Sequence, residues 1–172
     1  MKPFSFCPHC RTELASAMID GRNRLHCPAC SWVNYINPLP VTVAYAVNRK
    51  DELLVIRRAY EPARHEWALP GGFLEIGEEP HHGCLRELQE ETALSGSVQQ
   101  LVGVYQREVE LYGSLLVIAY KVLVDDESAL AINHEVTEAG FFALHALPAI
   151  RIPLHQHIIR DAQTLLDWNY RC

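Results

Sequence analysis

Three glutamates with the spacing needed for divalent-cation chemistry stand mid-chain: Glu87, Glu90 and Glu91, within the segment LRELQEET. Pro80, just upstream, suits the first turn of a helix, where its missing N–H would have no partner anyway. With about 100° between successive helical residues, Cys84, Leu85, Leu88 and Thr92 fall on one packing stripe. Glu87, Glu90 and Glu91 fall on a second face, clear of that stripe. Carboxylates so close repel one another unless cations sit between them. Mg²⁺ or Mn²⁺, hard ions that take oxygen ligands, answers that need. On the helix alone, a solvated acidic face fits equally well.

A second constellation is built on sulfur. Cys7 and Cys10 form one CxxC pair, Cys27 and Cys30 another, with sixteen residues between the pairs. Each CxxC turns two thiolates toward one point, and two such turns close a tetrahedron around Zn²⁺. Four ligands leave no open position, so this zinc is expected to be structural. A module of this size buries too little surface to fold well alone, and metal supplies the missing stability. Redox or disulfide roles fit less well, because no βαβ pattern surrounds these cysteines. His9 and His26 are bystanders on this reading, and Cys84 and Cys172 are left over, with Cys84 expected as a packed core thiol.

The elements that must position these groups follow along the chain. Residues 1–36 form the cysteine module, and YINPLP (35–40) is a proline-stiffened link. Strands are predicted over 41–48 and 52–58, paired as a hairpin, then a charged loop over 59–66. The glycine-rich WALPGGF leads into the carboxylate helix. Long strands follow over 98–110 and 114–124 with Gly113 at their turn, then a polar loop over 125–137 and a short strand over 138–144. Helical spacing of Leu154, Ile158, Leu165 and Leu166 marks a last helix. Interspersed strands and helices indicate an α/β layer architecture.

Composition bounds the function. The chain has 172 residues, 49% of them hydrophobic, which is enough for one ordinary domain plus a small module. Fifteen basic against 21 acidic residues give a formal net charge of −6. That balance argues against a protein that lives on nucleic-acid phosphates. No apolar run precedes the first cysteines, and the longest uncharged stretch, 31–48, is too polar to span a membrane. A cytoplasmic protein is expected, without membrane or nucleic-acid partners.

The segment GFLEIGEEPHHGCLRELQEETAL, residues 72–94, resembles the signature of the Nudix hydrolases. Gly72, Glu78, Arg86, Glu87, Leu88, Glu90, Glu91 and Leu94 stand in register with it. Ala93 departs, standing where the signature has glycine; alanine resists a positive φ. The resemblance implies a Nudix α/β/α sandwich with a mixed sheet over residues 37–172, preceded by a zinc ribbon over 1–36. It implies Glu87 and Glu91 as principal ligands of Mg²⁺ or Mn²⁺, with Glu90 as a further ligand or a base. The backbone carbonyl of Gly71 is a further ligand. Arg86 orients the carboxylates, and Glu78 assists behind them. Glu135, in HEVTEAGFF, matches a position that adds a late ligand or base; Glu138 is the weaker candidate.

Zinc module plus Nudix domain resembles two sets within the family: NADH pyrophosphatases, and enzymes that hydrolyse FAD, ADP-ribose and related dinucleotides. The resemblance implies hydrolysis of a nucleoside diphosphate derivative to a nucleoside monophosphate, by a homodimer. The proline-rich stretch of the NADH set is replaced here by QQLVGVYQREVELYGS, which weakens that assignment. Glu110 stands where many ADP-ribose enzymes carry proline. Tyr112 lies near a tyrosine of diadenosine polyphosphate hydrolases. Arg57 or Arg58 offers charge for phosphate, and Trp67 and Tyr112 offer flat faces for a base. The two arginines alternate in a strand, so only one faces a given side. Diadenosine polyphosphates, nucleoside triphosphates, and a ligand sensor with a nucleic-acid-binding zinc module are the alternatives.

Overall fold

The structure, a computed structural model, describes residues 4–169, with side chains through Leu165; Leu166 as a packing residue and Cys172 lie outside that description. The cysteine module is a two-stranded antiparallel sheet, β1 (Ala15–Ile19) and β2 (Arg22–His26). Asp20 and Gly21 turn between them with φ of 51° and 72°. Two successive positive φ angles match the right-handed strand twist, which is why Asp-Gly serves there. Two equivalent knuckles flank this hairpin. In one, Cys7 N–H donates to Thr12 O and Arg11 N–H to Cys7 O; in the other, Cys27 and Ser31 repeat the pattern with Trp32 and Cys27.

Six further strands form one sheet. They are β3 (Leu39–Val47), β4 (Leu53–Arg58), β5 (Trp67–Ala68), β6 (Gly96–Val109), β7 (Gly113–Val124) and β8 (Val136–Phe142). Helix α1 (Pro80–Thr92) follows β5, and α2 (Pro153–Asn169) ends the described chain. The order is β5-β4-β3-β7-β6, with β8 on the other edge of β4. β3 and β7 run parallel, whereas the remaining pairs are antiparallel, so the sheet is mixed. β3 explains the layering. Val43, Tyr45 and Val47 face a core closed by Ile158, Ile159 and Ala162 of α2. Ala44 and Ala46 face Cys84 and Leu88 of α1, and their small side chains let that helix come close.

The predicted hairpin of β3 and β4 is present but short. The two strands pair only at Val47 and Leu53, beside the Asn48–Asp51 turn, and then part. The WALPGGF segment takes the vacated edges. Trp67 and Ala68 pair with β4, while Thr42 N–H donates to Gly72 O and Ala44 N–H to Pro70 O. Backbone groups freed by the split are thereby satisfied. The last strand also lies earlier than 138–144: it is Val136–Phe142, and Leu144 belongs to a 3₁₀ turn.

Ala93 keeps the exit geometry that glycine would supply. It adopts φ 58°, ψ 8°, and its N–H donates to Gln89 O, closing the helix despite the steric cost of a Cβ there.

Candidate metal and substrate site

The split between β3 and β4 delivers Gly71 and Gly72 to the carboxylates of α1. Gly71 N–H donates to Glu91 Oε2 at 2.9 Å. A Cβ on Gly72 would overlap the Glu87 carboxylate, and one on Gly71 would overlap the Thr42 carbonyl oxygen. Gly71 therefore requires glycine, with backbone on top of it and φ 153° as well, while at Gly72 the missing Cβ leaves the Glu87 carboxylate its place.

Arg86 fastens the cluster. Its Nε donates to Glu78 Oε1 at 2.8 Å and its Nη2 to Glu78 Oε2 at 3.0 Å. Nη1 reaches Glu87 Oε1 at 2.8 Å and Glu90 Oε2 at 3.0 Å, and Nη2 also donates to Phe73 O at 2.9 Å. The guanidinium holds the Glu78 carboxyl down at about 2, aided by the Glu75 backbone. Only a planar fork with several donors fills so many acceptors at once.

The three helix glutamates differ in burial, which corrects the expectation of one face clear of the packing stripe. Glu91 is 4% exposed, among the buried residues of α1, while Glu90 is exposed. The helix angle of Glu91 lies beside that of Cys84, so the edge of the acidic face is also the edge of the core. Burial pushes the Glu91 carboxyl up to about 8, against the Gly71 N–H and Arg58, which favour its ionised form. Burial also raises Glu87, with Arg86 opposing. A buried carboxylate this disfavoured in ionised form, beside a second one with room for it made by glycine, fits a divalent cation. The donor set is all oxygen, as Mg²⁺ and Mn²⁺ prefer.

A cavity of about 400 Å³ opens from this end of α1. Its lining includes Gly71, Gly72, Glu91 and Glu135, together with the apolar Val41, Val43, Leu115 and Val117. Arg58, Tyr112, Phe73, residues 60–63, Ile152, Leu154 and His155 line it as well. Glu135 joins through the backbone, its carbonyl accepting from Ala59 N–H at 2.9 Å.

Of the residues expected to touch substrate, Arg58 and Tyr112 line the cavity and Arg57 and Trp67 do not. Arg57 pairs with Glu138 and donates to His65 O, which gives Glu138 a structural partner. Trp67 packs edge-on to Phe142, with ring centroids 5.8 Å apart. Tyr112 meets Phe73 edge-on at 5.1 Å. The sequence reading missed Arg107, His155, Tyr60 and Phe73. The inward alternation of Tyr105, Arg107 and Val109 along β6 was the available signal for the first.

The four cysteines converge. Their sulfurs all lie within 4.8 Å of one another, with Cys7 Sγ 3.5 Å from Cys30 Sγ and Cys10 Sγ 3.3 Å from Cys27 Sγ. Cys84 is buried in the α1 core. Among the described residues, no helix is long and apolar enough to cross a membrane.

Comparison with known proteins agrees with this architecture. The NUDIX domain model matches residues 37–164. An ADP-ribose pyrophosphatase of Methanocaldococcus jannaschii is 34% identical over 128 residues, 74% of each chain. An NAD-capped RNA hydrolase, NudC, of Chromobacterium violaceum is 33% identical over 160 residues. That alignment takes in 91% of this chain but only 57% of the relative's length. The crystal structure of a NUDIX hydrolase from Nitrosomonas europaea superposes with a TM-score of 0.78 at 24% identity, covering 91% of this chain and 88% of that one. The fold, the carboxylate helix fastened by Arg86 and the family match agree: this chain belongs to the Nudix family of hydrolases.

Proposed function

We propose that the protein hydrolyses the diphosphate linkage of an ADP-ribose-like nucleoside diphosphate derivative, FAD and NADH-like dinucleotides included, and releases a nucleoside monophosphate. The observation that carries this reading is the buried Glu91 carboxylate in the lining of a cavity that Arg58 and Tyr112 also line. The carboxylates there suit the metal-bound scissile phosphates, and the apolar lining with Tyr112 and Phe73 suits a sugar and base. The names of the two sequence relatives point the same way.

Glu87 and Glu91, with the Gly71 carbonyl, would hold Mg²⁺ or Mn²⁺, which supplies polarisation of the phosphoryl oxygens and a bound water of lowered pKa. Glu90 and Glu135 are the groups able to accept the proton of the attacking water. Arg86 positions Glu87 and Glu90, and Glu78 keeps Arg86 from swinging away. Arg58 neutralises charge on the leaving phosphate. Cys7, Cys10, Cys27 and Cys30 hold a structural Zn²⁺.

The test is comparative kinetics at matched Mg²⁺ on ADP-ribose, FAD, NADH, diadenosine polyphosphates and nucleoside triphosphates. An ADP-ribose-like diphosphate should give the highest kcat/KM, with AMP as product. A triphosphate such as dGTP leading by tenfold or more, roughly 1.4 kcal/mol of transition-state preference, would refute the substrate and leave the hydrolase standing.

A further inference from the structure

Besides Arg58, already assigned to the leaving phosphate, the cavity is lined by two further donors, Arg107 and His155. Arg107, in β6, is half-buried in the cavity wall and forms no ion pair or side-chain hydrogen bond among the described residues. Arg58 enters from β4, its Nε donating to Pro62 O at 3.0 Å. His155, at the head of α2, accepts Leu69 N–H at Nδ1 over 2.9 Å. An imidazole that accepts at Nδ1 is neutral with its proton on Nε2, which leaves Nε2–H as a donor. Burial, with the positive charges of Arg107 and Arg58, pushes His155 down to about 3 and so keeps it in that form. Glu61, at the cavity rim, is exposed and pairs with neither arginine.

With the scissile diphosphate placed at Gly71 and the α1 carboxylates as proposed above, the strand order sets Arg107 apart from it. The Gly71–Gly72 segment is bonded to one edge of β3, and β7 and then β6 lie beyond its other edge. Three strand spacings, roughly 14 Å, therefore separate the backbone at Gly72 from that at Arg107. Two phosphates that share one bridging oxygen span far less than that. Along the strands Arg107 is displaced further still, standing opposite Leu115, which pairs with Leu39, whereas Gly72 bonds Thr42. A guanidinium fork with a neutral N–H donor beside it matches the oxygens of a phosphate.

We propose that Arg107 and His155 form a subsite for a second phosphate of the substrate, carried as a monoester on the ribose of the nucleoside half, beyond the scissile diphosphate. This rests on the diphosphate hydrolysis proposed above and narrows its substrate class to nucleotides phosphorylated at the 2′ or 3′ hydroxyl.

The experiment compares kcat/KM for ADP-ribose and for its 2′- and 3′-phosphorylated forms, with wild type, Arg107→Gln and Arg107→Lys. Wild type should favour one phosphorylated form by tenfold or more, the arm that wins telling which hydroxyl carries the group. Arg107→Gln should abolish most of that ratio, and Arg107→Lys should restore part of it. A wild-type ratio near one, or a ratio unchanged in Arg107→Gln, overturns the subsite. If Mg²⁺ supports hydrolysis of none of them, the hydrolase reading fails separately. Calorimetry then decides the subsite, using AMP and the adenosine 2′,5′- and 3′,5′-bisphosphates on Mg²⁺-free protein. Tighter binding of a bisphosphate by tenfold, lost in Arg107→Gln, upholds it, and equal binding refutes it.

Discussion

The four cysteines and the glutamates of α1 are both side chains of metal-ligating type, and the two sets are built on opposite principles. The four cysteine sulfurs of the N-terminal module converge within 4.8 Å, held by two matching knuckles and a tight hairpin. The glutamates of α1 do not converge in that way. Glu87 and Glu90 are drawn to Arg86, and Glu91 to Gly71. A closed set of soft ligands serves to hold a fold together. A looser set of hard ligands, tied to an arginine and opening on a cavity, leaves positions for substrate and water. The first should govern stability and the second turnover, and mutation can pull the two apart.

The largest expected effect is on the cysteine side. Structural zinc contributes on the order of 10 kcal/mol in small modules, so Cys7→Ser should cost most of the folding energy of residues 4–36. Elemental analysis should fall from about one zinc per chain toward none. Aggregation or loss of ribbon amide signals should follow, with a smaller change in kcat of whatever protein remains folded. An equal collapse of kcat in well-folded Cys7→Ser protein would erase the distinction between the two regions.

Next comes Glu91→Gln, which keeps the shape of the side chain and removes the charge that holds the cation. Activity should fall about 1000-fold or more, equivalent to some 4 kcal/mol of barrier. Its pH signature sharpens the claim. The Glu91 carboxyl is raised from 4.5 to about 8 in the folded metal-free protein. The native state therefore binds more protons than the unfolded chain between those values, and stability should decline as pH rises from 4.5 through 8. Thermal melts in EDTA should show that decline in the wild type and a flatter profile in Glu91→Gln. A variant as pH-sensitive as the wild type would remove Glu91 as its source.

Arg86→Lys should be milder. Lysine keeps the charge but cannot present the fork that joins Glu78, Glu87 and Glu90. The apparent affinity for Mg²⁺ should weaken by about 10–100-fold, read from the Mg²⁺ dependence of the rate. An unchanged Mg²⁺ dependence would mean the carboxylates are positioned by something else.

How much of this was legible in the sequence follows from where each residue comes from. α1 was legible because its ligands, its arginine and the flanking glycines are local and fixed in spacing. The cysteine pairs were legible for the same reason. Arg107 and His155 were not, since the cavity gathers them from β6 and from the head of α2, far apart in the chain. The early parting of the β3–β4 hairpin was not legible because alternation says nothing about which strand occupies an edge, and here residues 67–74 intrude. The burial of Glu91 was missed because helical angle alone does not tell how far α1 sinks onto Ala44 and Ala46.

The smallest expected effect tests α1 itself. Ala93→Gly should stabilise the protein by about 1 kcal/mol, since glycine holds φ 58° without a Cβ clash, and it should leave kcat/KM unchanged. A denaturant melt that moves the other way would mean that alanine's Cβ packing there outweighs the backbone strain.

On the proposed reading, diphosphate cleavage depends on a cation held by the α1 carboxylates. The most direct measurement is product analysis of ADP-ribose incubated with the purified protein in Mg²⁺ and in excess EDTA, wild type beside Glu91→Gln. The wild type with Mg²⁺ should yield AMP and ribose 5-phosphate, and neither product should appear under the other three conditions. Cleavage that persists in EDTA, or that Glu91→Gln performs at the wild-type rate, would contradict that reading.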